Sequence, residues 1–171
     1  MFRSSVPFAC ALLLAACDTV PLPPPQDAQP PAEQALAAQC SGDATLSARL
    51  SSAVNAARSA EGKTLLETVA PLDQIAQSHA CDMARMGRAS VAGSNGSNVV
   101  DRARAVEYPT CGVVQLVGAG GTPEGTVSAW LVPGPQREQV LGQLSYQIGS
   151  GVARGSDGRL WHSTVLGNNC Q

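Results

Sequence analysis

Residue types that commonly carry out chemistry are sparse in this chain of 171 residues. It has two histidines, His79 and His162, and either imidazole could act as a general base or bind a metal. The chain has no Gly-x-Ser-x-Gly sequence, which forms the sharp turn that carries the serine nucleophile in many hydrolases. His79 and His162 are therefore the candidate bases, and the sequence does not identify a nucleophile to accompany them.

The hydrophobic pattern around each histidine bears on its role. His79 falls on the apolar face of a predicted helix over residues 71–87, where a buried structural histidine is the favoured interpretation. In a predicted late strand, alternation places Leu160, His162 and Thr164 on one face. If that face borders a cleft, His162 is the base nearest to it.

The start of the chain predicts export. Residues 1–16 combine Arg3 with an apolar run, a pattern typical of a secretory signal peptide and too short to span a bilayer. Cys17 follows Leu14-Ala15-Ala16 and resembles the cysteine of a bacterial lipobox, which would carry acyl chains such as palmitate. An ordinary signal peptide is the alternative. We expect a lipoprotein that faces the periplasm, and Asp18 favours retention in the inner membrane.

Four further cysteines fall in the second part of the chain: Cys40, Cys81, Cys111 and Cys170. An even number in an exported protein predicts two disulfides. Three pairings are possible, and we favour Cys81 with Cys111 and Cys40 with Cys170, which would join the ends of the domain. Zinc binding is disfavoured because no Cys-x-x-Cys spacing occurs, and we expect no cofactor.

Composition divides the chain into three parts. After the leader, residues 17–39 hold six of the 12 prolines, which disfavours helix and sheet and predicts a stalk behind the lipid anchor. Residues 40–171 hold ten Lys or Arg and ten Asp or Glu, so no basic surface indicates nucleic acid. We expect one domain over residues 40–171, held at a membrane only by its lipid.

Periodicity predicts the elements that must position these side chains. Helices are expected over residues 45–59, 71–87, 99–106 and 122–131, with a short helical turn at 137–141. Strands are expected over 113–117, 146–153 and 159–166, the last two joined by the turn Gly155-Ser156-Asp157-Gly158. Because the helices come mainly before the strands, the fold class is α+β.

Several motifs follow the order found in the CAP superfamily, also called the SCP domain, and residues 45–168 resemble its short bacterial form. The first two are V-N-x-x-R-x-x-x-G from Val54 to Gly62 and L-x-x-x-A-x-x-H-x-x-D-M-A from Leu72 to Ala84. Next come D-R-x-R at Asp101, T-P-E-x-x-V-x-x-W from Thr122 to Trp130, and I-G-x-G at Ile148. The resemblance implies a three-layer α-β-α sandwich with a central antiparallel sheet.

The resemblance also implies a cleft in which family members hold two histidines and acidic residues that can bind a divalent metal. One family histidine falls on Val91, the glutamate of G-E-N-I-A on Val113, and the second histidine on Gln136. Valine supplies no metal ligand and glutamine a weak one. We therefore expect a degenerate, metal-free cleft formed by Val91, Val113, Gln136 and His162.

Three functions remain open at this point. The favoured one is a non-catalytic binding or envelope module whose partner is a protein, a glycan or a lipid. The second is a hydrolase with an unrecognised site near His162 or His79. The third is a binder of an apolar ligand, such as a lipid, in a cleft that has lost its metal ligands. A structural protein that binds no ligand is the remaining alternative.

Overall fold

The computed structural model describes Met1 and residues 36–170 of the chain. The predicted leader after Met1, the lipidation site Cys17 and the stalk as far as residue 35 lie outside the described residues. Within the part that is described, no helix combines the length and the apolar character needed to cross a bilayer.

Five helices and four strands are formed by the described residues. The helices are α1 (Ala44–Ala60), α2 (Ala70–Met86), α3 (Val99–Ala105), α4 (Pro123–Trp130) and α5 (Pro135–Leu141). The strands are β1 (Glu67–Thr68), β2 (Thr110–Ala119), β3 (Gln147–Arg154) and β4 (Leu160–Asn169). Every predicted element is present. The sequence did not predict β1, because two residues are too few to reveal an alternating pattern.

The helices begin and end at the residues whose chemistry favours these positions. The Asp43 side chain accepts a hydrogen bond from the Leu46 amide and begins α1. The Thr122 side chain accepts a hydrogen bond from the Gly125 amide and begins α4. Gly87 ends α2 with a φ of 67°, a left-handed conformation that glycine adopts without steric penalty. These local signals fix where each helix can pack against the sheet.

The sheet has the strand order β1-β3-β4-β2. Strand β4 lies between β3 and β2 and is antiparallel to both, while the short β1 pairs with β3 in parallel. The predicted turn between β3 and β4 closes with the Gly155 amide donating to the Arg159 carbonyl at 2.8 Å. This register places His162 of β4 opposite Gly118 of β2 and Val152 of β3.

Helices cover both faces of the sheet, which confirms the three-layer sandwich. On one face α1, α4 and α5 enclose a core that contains Leu50, Val54, Leu116, Trp130, Val140 and Leu166. On the other face α2 and α3 enclose a core of Leu72, Ile75, Ala76, Ala103, Tyr108 and Val165. Burying each large aliphatic side chain contributes about 1.5–3 kcal/mol relative to exposure, so both cores stabilise the sheet.

The disulfides join Cys40 to Cys81 and Cys111 to Cys170, with Cα–Cα distances of 5.8 and 5.3 Å. Two disulfides were predicted, but the favoured pairing of Cys81 with Cys111 and Cys40 with Cys170 is wrong. Cys111 lies near the start of β2 and Cys170 directly follows β4, and antiparallel pairing brings these positions together. Cys40 lies beside α2 because the chain passes along that helix before α1 begins.

Candidate functional site

The four positions expected to form one cleft lie on two sides of the sheet. Val91 is in the loop between α2 and α3 with its side chain 56% exposed, and Val113 packs against the core beneath α2. Gln136 is exposed on α5, on the opposite side, and His162 is fully buried there. Since alternation along β2 and β4 directs Val113 and His162 to opposite faces, the single cleft predicted from these four residues is not formed.

The side chain of Arg102 on α3 lies between the loop at Val91 and strand β2. Its side chain is almost fully buried, and Nη2 donates to the Val91 carbonyl at 2.8 Å and to Gln115 Oε1 at 2.6 Å. Nη1 donates to the carbonyl and hydroxyl oxygens of Ser97, both at 2.9 Å. Gln115 Nε2 then donates to Ser163 of β4 at 2.8 Å. The guanidinium thus connects the loop, α3 and the sheet.

Arg102 keeps its charge at neutral pH. Burial lowers the pKa of its guanidinium to about 10, against the opposing effects of the Asp82 and Asp101 carboxylates. Sequence reasoning noted Arg102 only as part of the D-R-x-R motif and overlooked Gln115 entirely. A polar residue in an otherwise apolar strand was the one signal available for Gln115.

The residues around Val91 and Val113 do not fit a divalent metal. The polar oxygens present there, the Val91 carbonyl and Gln115 Oε1, already accept hydrogen bonds from a guanidinium cation, and a second cation would be repelled. Among the described residues, no group of three His, Cys, Asp or Glu side chains is placed to hold a metal ion. We therefore derive no chemistry from a metal at this position.

Two buried side chains of α2 hold the loop that precedes α3. His79 Nε2 lies 2.6 Å from the Ser90 carbonyl and so carries the proton in that contact. Burial, and then the charge of Arg102, lowers the pKa of His79 to about 4. Asp82 accepts hydrogen bonds from the amide and hydroxyl of Ser94 at 2.7 and 2.6 Å. His79 is therefore a neutral residue that supports the loop.

His162 is enclosed beneath α4. Its Nδ1 lies 3.2 Å from the Thr126 hydroxyl, and no described residue hydrogen-bonds its Nε2. Burial lowers the pKa of the imidazole. Thr126 and Gln136 line a depression of about 450 Å³, but His162 itself has no exposed surface. A general base must contact its substrate, and neither histidine is accessible in this structure.

A separate cavity of about 540 Å³ lies between α1 and α2, beside the outer edge of β3. Its walls combine hydroxyl, amide and carboxylate groups with an apolar surface that is larger in area than the polar one. Helix α1 contributes Ser47, Ser51 and Ser52, and α2 contributes Asp73, Gln74 and Gln77. None of the residues predicted to form the cleft lines this cavity. Its walls come from four separate segments of the chain, so no local sequence pattern indicates it.

Side chains from both helices bind the free edge of β3. The Ser150 amide donates to Asp73 Oδ1 at 2.9 Å, and the Val152 amide donates to Ser47 Oγ at 2.9 Å. The Val152 carbonyl accepts from the Asp43 amide at 2.9 Å. Burial raises the pKa of Asp73, although the Ser150 hydrogen bond opposes that effect. These contacts protect the edge from pairing with another strand and form the polar floor of the cavity.

Helices on both faces of a mainly antiparallel sheet define a small α-β-α sandwich domain. A family model described as CAP, the cysteine-rich secretory protein family, matches residues 52–166, and the chain belongs to that family. A search of curated proteins finds no match to this sequence.

Solved structures of three bacterial proteins share the fold. An outer surface protein of Borrelia burgdorferi aligns with a TM-score of 0.68 at 16% identity, covering 75% of this chain and 98% of its own. An extracellular SCP-domain protein of Bacillus anthracis aligns with a TM-score of 0.63 at 16% identity, covering 73% of this chain. A cysteine-rich secretory protein of Staphylococcus aureus aligns with a TM-score of 0.59 at 15% identity, covering 75% of this chain. This chain spans only 41% and 40% of the last two. At these identities the likeness establishes the fold alone.

Proposed function

We propose that the protein is a non-catalytic binding module of the bacterial cell envelope, anchored by a lipid on Cys17. The observation that carries the proposal is the buried guanidinium of Arg102 between the Val91 carbonyl and Gln115. Val91 and Val113 occupy the positions where family members are expected to place metal ligands. The charged guanidinium of Arg102 beside these positions would repel a metal cation. It therefore favours a domain that keeps the family fold without binding a metal.

The burial of both histidines also supports a non-catalytic role. Both histidines are buried, and His79 is neutral with its Nε2 bound to a carbonyl. A domain of this kind acts by presenting surfaces and cavities to a protein, a glycan or a lipid. The cavity between α1 and α2 combines polar groups with apolar surface and offers one such site.

Location at the envelope is supported by the chain's start and by its structural neighbours. Arg3 and the apolar run precede Cys17 in the arrangement of a lipoprotein leader. The structural neighbours include an outer surface protein and an extracellular protein. The proline-rich residues that follow Cys17 would hold the domain away from the membrane surface.

Mass spectrometry of the protein taken from its own membrane tests the anchor. We expect a chain that begins at Cys17 with the added mass of acyl groups, and a Cys17→Ser variant that leaves the membrane fraction. An unmodified Cys17 in membrane-derived protein would overturn the anchoring proposal.

A complementation experiment tests the non-catalytic role. In a strain lacking the gene, a His79→Gln, His162→Gln double variant should restore the wild-type phenotype when its folded amount equals that of the wild type. Arg104→Gln, an exposed position on α3, is the control for expression. Loss of the phenotype with the folded double variant, or a stoichiometric metal in the purified protein, would contradict the proposal.

A further inference from the structure

We propose that the cavity between α1 and α2 binds a neutral saccharide that carries N-acetyl groups. This inference rests on the proposed binding function and names the ligand class. The cavity volume of about 540 Å³ falls within the range of about 300–1,000 Å³ that small-molecule sites occupy.

Hydroxyl groups in and behind the cavity wall hold one another in a fixed arrangement. Ser51 Oγ donates to Ser150 Oγ at 2.8 Å, and Ser150 Oγ lies 3.0 Å from the Thr164 hydroxyl. A helix that packs on a sheet normally directs apolar side chains toward it, whereas α1 directs Ser47 and Ser51 toward β3. The three hydrogen-bonded hydroxyls are almost fully buried and fix the wall, while the exposed side chains of Ser52 and Gln74 in the same lining can hydrogen-bond to a polyhydroxyl ligand.

Asp73 supplies a strong acceptor in the same wall. One carboxylate oxygen accepts from the Ser150 amide, and no described residue donates to the other. A carboxylate binds the hydroxyl or acetamido N–H of a sugar through charge-assisted hydrogen bonds. No Lys or Arg is found among the described residues that line the cavity, so phosphates and fatty-acid carboxylates lack a partner there.

The methyl groups of Ala44 and Ala48 on α1 line the cavity beside these polar groups. An acetamido group needs this combination, because its methyl packs on an apolar patch while its N–H and C=O form hydrogen bonds. A long acyl chain would instead leave Gln74 and the second carboxylate oxygen of Asp73 without water or a polar partner. N-acetylated sugars therefore fit the lining better than lipids do.

Binding of chitotetraose, an oligosaccharide of N-acetylglucosamine, tests the inference by heteronuclear NMR on the folded domain. We expect saturable shifts at the amides of Ser51, Asp73 and Ser150. Ala48→Trp replaces an exposed side chain and fills the cavity, and should weaken binding by at least about ten-fold. Ala60→Trp, an exposed alanine on the same helix outside the cavity, should bind as the wild type does.

Three results would overturn the inference. The first is the absence of saturable shifts with chitotetraose. The second is equal binding of maltotetraose, which has no acetamido groups. The third is unchanged binding by an Ala48→Trp variant that melts like the wild type. A second filling variant, Ser52→Trp, applies the same criterion if Ala48→Trp melts early. The proposed envelope function is judged separately by the Cys17 mass and the double histidine variant, so failure of the saccharide would leave those results standing.

Discussion

Arg102 Nη2 and Gln115 Oε1 lie 2.6 Å apart in a contact buried between α3 and β2. Gln115 Nε2 in turn donates a hydrogen bond to the Ser163 hydroxyl of β4. One chain of hydrogen bonds therefore joins α3 to β2 and β4. A buried polar group left without its partner destabilises a protein by about 1–3 kcal/mol. The network is therefore required by the fold once Arg102 is present.

Replacing Arg102 with methionine should destabilise the domain by at least about 3 kcal/mol, because the Val91 and Ser97 carbonyls and Gln115 lose their donor together. Urea denaturation measures the change. Arg104→Met on the same helix is the control, since Arg104 is largely exposed and pairs with Asp101 only at 3.6 Å. Equal effects of the two substitutions would contradict the role assigned to Arg102.

The helices and long strands could be predicted because their signals are local. Asp43, Thr122 and Gly87 mark helix ends by their own chemistry, and alternation identified β3 and β4. Strand β1 escaped detection because it has two residues and is defined by its partner β3. The disulfide pairing also depended on tertiary structure, since sequence separation alone does not favour Cys111–Cys170 over its alternatives.

The candidate site was less predictable than the fold. Val91, Val113, Gln136 and His162 were grouped by their alignment to one family cleft, but the sheet separates them. Arg102 and Gln115 become a site only when α3 lies over β2, which no local pattern specifies. The cavity near Asp73 likewise requires α1, α2 and β3 to meet at one edge.

Each disulfide should be removable one at a time with a measurable loss of stability. The pairs close segments with sequence separations of 41 and 59 residues, and disulfides on loops of this length typically contribute about 2–4 kcal/mol. We expect Cys40→Ala with Cys81→Ala, and separately Cys111→Ala with Cys170→Ala, to lower the melting temperature clearly.

A non-reducing tryptic map checks the pairing itself. Cleavage after Lys63, Arg85, Arg104, Arg137 and Arg159 should leave residues 105–137 linked to 160–171, and residues 64–85 linked to the peptide that ends at Arg49. A peptide in which 64–85 is linked to 105–137 would mean that Cys81 pairs with Cys111, against the structure.

Glycine at position 151 allows α2 to approach β3 closely. A methyl group there would overlap the backbone of Ala76 and Gln77, and a packed helix cannot move aside without disturbing its core. Gly151→Ala should therefore destabilise the domain by about 1–3 kcal/mol or more. Gly112→Ala is the matched control because a Cβ there meets no atom within 4 Å. Chemical denaturation should separate the two variants, and similar stabilities would refute the close packing.

The stability of the domain should depend on pH through His79. Its folded pKa of about 4 lies below the ordinary value of 6.5, so the unfolded chain binds more protons between these values. Stability is then complete above the ordinary value and is lost as pH falls toward the folded one, by up to about 1.4 kcal/mol per pH unit. Burial lowers the pKa of His162 in the same direction, whereas the raised pKa of Asp73 acts oppositely at the acidic end.

Melting temperatures between about pH 7.5 and 5 measure this dependence, and the difference between the wild type and His79→Gln isolates the His79 contribution because both contain Asp73. We expect the wild type to melt progressively earlier as the pH falls. His79→Gln keeps a donor for the Ser90 carbonyl but cannot be protonated, so its melting temperature should fall less over the same range. His162→Gln, with His79 intact, should retain the His79 part of the slope. If His79→Gln follows the wild-type slope, the loop is not held by a neutral buried imidazole.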